Sequence, residues 1–218
     1  MIYFTSDWHL CETEARLSVL NRPKYYTDSW FLNKLSDNRR YVNSDNDSLF
    51  ILGDLFCKNA YEQIHEYRFA AEKIFLLFSK FNKVTLLRGN HDRNYSDAFF
   101  KRLGITEIFE EGISINLVLD CKLNVSLNHY PRLSTPDAFN LVGHIHSSWR
   151  VQKNMLNVGV DANHYCLLSE DDVVKSYNSI CNYYDDDVWV HNHMANTLHE
   201  KRGKSGSYFN FDSNIKNC

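Results

Sequence analysis

The run Ile2-Tyr3-Phe4-Thr5-Ser6-Asp7-Trp8-His9 decides how this chain is read. A short apolar stretch ends abruptly in a carboxylate and, two residues on, an imidazole. An apolar run of this length bounded by polar groups is the pattern of a buried strand, which puts the polar residues at the strand's C-terminal end. The design recurs twice. Leu49-Phe50-Ile51-Leu52 opens into Gly53-Asp54, and Lys83-Val84-Thr85-Leu86-Leu87-Arg88 opens into Gly89-Asn90-His91-Asp92. Three strand ends carrying carboxylate, amide and imidazole groups predict one site along one edge of a sheet.

The separating segments read as helices. Ile64, Tyr67, Ala71, Ile74, Phe75 and Phe78 recur at helical spacing, with Glu62, Glu66, Arg68, Glu72 and Lys73 between them. Thr27-Asp28 can cap a helix carrying Trp30, Phe31 and Leu35. Ser96 can cap another through Phe99 and Leu103, stopped by Gly104. The texture then changes to strands. Ile113–Leu119 and Leu123–Leu127, joined by Asp120-Cys121-Lys122, read as a hairpin, and Asn140-Leu141-Val142 and Met155–Val160 as further strands. The expected fold is therefore α/β: a four-layer αββα sandwich of two mixed β-sheets flanked by helices, with the site on loops at the strand ends. Residues 1–175 form the expected domain. Beyond them the pattern decays, and 176–218 reads as a C-terminal appendage.

Composition narrows the class. With 218 residues, 44% hydrophobic and 23% charged, the chain is long enough for a core of its own and too apolar to be disordered. No run of about 18 apolar residues predicts a membrane span, and Met1-Ile2-Tyr3-Phe4-Thr5-Ser6-Asp7, without a basic region or cleavage site, is not expected to act as a secretory signal. The six cysteines, at 11, 57, 121, 166, 181 and 218, contain no C-x-x-C pair. Reduced thiols in a cytoplasmic protein are the simple expectation. The 23 asparagines are the bias that an AT-rich coding genome gives, as in some phages. A net charge of −3 argues against a basic nucleic-acid coat, though a local basic groove stays open.

Five segments carry the chemistry: Asp7-Trp8-His9, Gly53-Asp54, Gly89-Asn90-His91-Asp92, Asn128-His129-Tyr130-Pro131 and Gly143-His144-Ile145-His146. Carboxylate, imidazole and amide oxygen together suit Mn²⁺, Fe or Zn²⁺ better than Ca²⁺, which prefers oxygen alone. Asp7/His9 and His144/His146 are spaced to chelate as pairs. One carboxylate can bridge two cations about 3.5–4 Å apart, the arrangement of two-metal phosphoryl transfer.

The ordered set D-x-H, G-D, G-N-H-D, H and G-H-x-H resembles the calcineurin-like metallophosphoesterases, over Met1 to about Leu168. The segments Asn21-Arg22-Pro23 and Asn157-Val158-Gly159-Val160-Asp161 resemble a compact bacterial and phage branch of that family. The resemblance implies that Asp7, His9 and His146 hold one metal. Asn90, His129 and His144 would hold a second, and Asp54 would bridge them. It implies His91 as general acid or transition-state donor, oriented by Asp92. It also implies two divalent transition-metal ions, Mn²⁺ favoured, with Fe, Zn, Ni or Mg as alternatives. Gly53-Asp54-Leu55-Phe56-Cys57-Lys58 departs from the protein-phosphatase pattern G-D-x-x-D-R-G. A phosphodiesterase acting through metal-activated water on a small nucleotide-type substrate is the leading expectation. A phosphomonoesterase or nuclease of the same fold, or a non-catalytic module retaining it, are the alternatives.

Arg22, Arg93 and Tyr130 are the candidate substrate contacts, since arginine forks onto phosphate and tyrosine can stack on a base. Each has a plainer reading, as a surface ion pair or core packing. His191, His193 and His199, and the run Lys201-Arg202-Gly203-Lys204, read as a solvated tail.

Overall fold

A computed structural model describes residues 1–37, 46–60, 64–118 and 122–183. The expected hairpin turn at Asp120-Cys121-Lys122 lies largely outside them, and so do the tail histidines and the basic run at 201–204. Among the described residues, ten strands make two sheets of five. In the first, β1 (Ile2–Thr5), β2 (Ser48–Ile51), β3 (Lys83–Leu87) and β4 (Glu107–Phe109) run parallel in that order, with β10 (Leu168–Ser169) antiparallel beside β1. The second has the order β5 (Ile113–Val118), β6 (Lys122–Asn128), β7 (Phe139–Val142), β9 (Met155–Asn157), β8 (Val151–Gln152). Its β6, β7 and β9 are parallel and its outer pairs antiparallel.

The period-2 alternation of the strands builds two cores. Tyr3, Leu49, Ile51, Val84 and Leu86 face the helices α1 (Glu14–Val19), α2 (Asp28–Asp37), α3 (Ile64–Phe78) and α4 (Asp97–Arg102). Phe4, Phe50 and Leu87 point the other way and pack on Val125, Leu127, Phe139, Leu141 and Leu156 of the second sheet. The caps are where the sequence put them. Thr27 Oγ1 accepts from the Trp30 N–H and Ser96 Oγ from the Phe99 N–H, while Gly104 leaves α4 at φ +96°. The α/β sandwich of two mixed sheets with flanking helices is thus as expected.

The expected boundary at 175/176 falls inside a helix. Helix α5 (Glu170–Tyr183) runs straight through it. Ser169 and Asp172 cap this helix reciprocally: Asp172 Oδ2 accepts from the Ser169 N–H at 3.0 Å, and Ser169 Oγ from the Asp172 N–H at 3.2 Å. Val173, Val174, Tyr177 and Ile180 then recur at helical spacing and bury in the core between the sheets. The described residues 176–183 thus continue a helix that packs on this core.

Candidate metal centre

Because β1, β2 and β3 are parallel, as are β6, β7 and β9, all the motif loops leave at strand C-termini, where open α/β sheets present their ligands. Hydrogen bonds stitch the loops together. The Asp7 N–H donates to Gly53 O and the His9 N–H to Asp54 O, each at 3.0 Å. The His144 N–H donates to both Asp7 carboxylate oxygens, at 3.0 and 2.9 Å, and the His91 N–H to Asp54 Oδ1 at 2.9 Å.

The result is two adjacent groups, Asp7/His9/His146 and Asp54/His129/His144, in each of which the potential ligand atoms lie within 4.8 Å of one another. Asp54 stands between them. Its Oδ2 is 3.5 Å from His9 Nε2 and 3.5 Å from His129 Nε2. Asn90 Oδ1 lies 3.2 Å from His129 Nε2. All seven residues expected as ligands are brought to one place.

The backbone is strained there. Asp7 (φ 59°), His9 (48°), Asp54 (55°), His144 (74°) and His146 (49°) all adopt the left-handed conformation. Each costs about 1–2 kcal/mol in an L-residue, and such strain persists where the surroundings over-determine it, typically at functional sites. Two glycines permit the crowding. A Cβ on Gly89 would collide with Asp54 Oδ1, and one on Gly143 with Ser6 Oγ and Asp7 Oδ2.

Tautomers are set by the partners. His129 Nδ1 lies 2.7 Å from Leu52 O, which can only accept, so Nδ1 carries the proton and Nε2 faces Asp54. His146 Nδ1 lies 2.7 Å from Asp161 Oδ2, which leaves its Nε2 toward Asp7 and His9. His9 is 2% exposed, and among the described residues neither of its ring nitrogens has a hydrogen-bond partner. A buried, unpartnered imidazole among carboxylate oxygens asks for an explanation. Cations shared between imidazole nitrogen and carboxylate oxygen supply one, with the carboxylate–histidine support that metal ligands usually have. The donor set fits borderline divalent ions.

Before any cation binds, the two groups differ in proton affinity. Burial pushes His9 well below the ordinary histidine range, only partly offset by the charge of Asp54. His129 goes the other way: burial opposes its charge, but the hydrogen bond and charge of Asp54, with the charge of Asp7, lift it to about 9. Burial would raise Asp54, yet His129 and His9 hold it down to about 2. Burial raises Asp7.

Two expected roles are corrected. Arg22 is no substrate contact. Its side chain is fully buried and all five N–H groups are committed: to Asp161 Oδ1 and Oδ2, the carbonyls of Trp8 and Asp7, and the Tyr26 hydroxyl. It pins the β1 loop and neutralises the carboxylate that orients His146. Asp92 does not hold the His91 imidazole. Its carboxylate accepts the backbone N–H groups of Asp54 (2.7 Å), Leu55 (3.1 Å) and Gly89 (2.9 Å), clamping two ligand loops. Burial, then the charge of Asp54, raises Asp92 to about 6.

The remaining candidate residues have definite places. His91 stands against His9, ring centroids 4.5 Å apart, with its Nδ1 shielded and, among the described residues, unpartnered. Arg93 is exposed. Tyr130 sets its ring edge-on to His129 and His144, 4.8 Å from each, and carries the exposed Arg132 guanidinium 4.9 Å above it. Sequence reasoning missed Arg132 and Asp161. The Asp161 signal was present, a carboxylate directly after the apolar run ending in Val160.

The calcineurin-like phosphoesterase family model matches residues 1–214. Among solved structures, the protein of unknown function AQ665 from Aquifex aeolicus is similar at 20% identity and TM-score 0.58, over 81% of this chain and 98% of that one. The nuclease MPE from Pseudomonas putida is 24% identical at TM-score 0.46, over 66% of this chain and 61% of its own. No curated protein matches. With a family model spanning nearly the whole sequence, over two mixed sheets whose strand ends gather carboxylates, imidazoles and an amide, the chain belongs to the calcineurin-like phosphoesterases.

Proposed function

We propose that this metal-dependent phosphoesterase hydrolyses phosphodiester bonds in a nucleotide-type substrate, using two divalent cations, with Mn²⁺ favoured. Asp7, His9 and His146 would hold one cation. Asn90, His129 and His144 would hold the other, and Asp54 would bridge. The observation that carries the reading is the position of Asp54 Oδ2, equally 3.5 Å from the ring nitrogens of His9 and His129 in two different groups. When bound, such cations lower the proton affinity of water and neutralise phosphoryl charge.

The chain's own residues supply the rest. The oxygen of water bonds to phosphorus as the ester P–O bond breaks. His91 gives a proton to the leaving oxygen and regains one from the water consumed, so the products are a monoester and an alcohol. Asp92 keeps the Asp54 and Gly89 loops in register, and Asp161 with Arg22 fixes the His146 ring. Tyr130 and Arg132 stand beside His144, where a base and a phosphate oxygen can be met, and Arg93 offers a second exposed cation. A diester, singly charged and with a poor leaving alkoxide, gains most from a proton donor beside two cations. A cytoplasmic location, read from cysteine usage, goes with this proposal. No described helix is long and apolar enough to cross a membrane.

The test compares a nitrophenyl diester with a nucleoside diester in wild type and His91→Ala, with metal content measured in both. Metal should be retained. The value of kcat should fall about 10²-fold or more on the nucleoside diester and much less on nitrophenolate, which leaves without help. Equal losses on both would remove the acid role. Faster turnover of monoesters than diesters would overturn the substrate class.

A further inference from the structure

With Asp92 committed to backbone N–H groups, His91 lacks the carboxylate that was expected to orient it. Its Nδ1 is closed off from solvent and, among the described residues, unpartnered, and a buried ring nitrogen in that state is uncommon. Another carboxylate stands beside it. Glu12, His9 and His91 offer ligand atoms that lie within 4.8 Å of one another. Glu12 and His91 also line the same groove, about 580 Å³, together with Asn90, Arg16 and Lys58.

Glu12 has no competing duty. Its one hydrogen bond comes from the adjacent Thr13 N–H, at 3.0 Å, and among the described residues it makes no ion pair with arginine or lysine. Its backbone is fixed on both sides. The Cys11 N–H donates to Asp28 Oδ2, and Thr13 caps α1 by accepting from the Arg16 N–H. The other side of the His91 ring packs edge-to-face on His9. A separation under 5 Å is one that a single bridging water, or a small turn of the Glu12 side chain, spans.

We infer that Glu12 is a positioning residue for His91: its carboxylate accepts from a ring N–H and holds the imidazole so that the other nitrogen meets the leaving oxygen. The inference rests on the role proposed for His91. It assigns Glu12 no contact with substrate and no place among the cation ligands.

A double-mutant cycle with Mn²⁺-loaded protein and a nucleoside diester tests it. Glu12→Ala should lower kcat about tenfold, the scale of losing a supporting carboxylate, with KM and metal content unchanged. Glu12→Gln keeps an accepting oxygen and should restore most of the rate. In a His91→Ala background, Glu12→Ala should cost nothing further. Full activity in Glu12→Ala, an equal loss in the His91→Ala background, or loss of a metal ion would each overturn the inference. Full kcat in His91→Ala would overturn the acid role and the inference together. A loss in His91→Ala with none in Glu12→Ala overturns the inference alone.

Discussion

The two halves of the centre are built differently. In Asp7/His9/His146, two residues are buried, and the third is steered by a carboxylate that a buried arginine neutralises. In Asp54/His129/His144, the anchor is a backbone carbonyl behind His129, and His144 is exposed, its ring edge-on to those of His129 and Tyr130. The first half is the more shielded. The other opens to solvent, where substrate has to enter. The difference also reverses proton affinity, since His9 is held neutral by burial while His129 beside Asp54 is held protonated to about 9. A first cation should therefore settle in the shielded half, and the second should compete with a proton.

The largest expected effect comes from removing what the halves share. Asp54→Ala should abolish stoichiometric binding of both cations and cut kcat/KM by at least about 10³-fold, roughly 4 kcal/mol of transition-state stabilisation. Metal analysis and steady-state kinetics check it, and retention of one tight ion would mean the halves are independent.

Acidity should then separate them. Below pH about 9 His129 must release a proton to accept a cation, so affinity of the open half should rise about tenfold per pH unit, roughly 100-fold between about pH 6 and 8. His9, already neutral, adds no such slope to the shielded half. Calorimetric titrations at several pH values should show the steep dependence in one binding phase only.

Asp161→Asn should weaken the shielded half alone, by about 10–100-fold in cation affinity, because His146 loses its charged support. Equal weakening in both phases would contradict the division. Arg132→Ala is the mildest change. It should raise KM a few-fold, about 0.5–1 kcal/mol for an exposed cation, and leave cation binding alone.

Much of this was legible in the residues. The strand ends announced themselves because an apolar run stopping at Asp7, Asp54 or Asn90 has no other economical use for its polar end. Glycine stands at 89 and 143 within those motifs, and close contact with Asp54 and Asp7 is what leaves no room for a side chain there. What stayed hidden depends on tertiary partners. Arg22 and Asp92 have the right chemistry for substrate and His91, but spacing along a chain does not say which acceptor a guanidinium reaches or whether a carboxylate serves backbone or imidazole. The asparagines read as genomic bias, yet buried Asn157 holds the His146 loop through the carbonyls of His146 and Trp149. Helix α5 was missed although Ser169-Glu170-Asp171-Asp172 is a capping sequence, because the acidic first turn masked the apolar spacing behind it.

If Asp54 joins two cation sites into one centre, anomalous diffraction from Mn²⁺-loaded crystals measures it directly. Two peaks about 3.5–4 Å apart, both at bonding distance from the Asp54 carboxylate, are the predicted result. A single peak, or two peaks of which Asp54 touches only one, would contradict it.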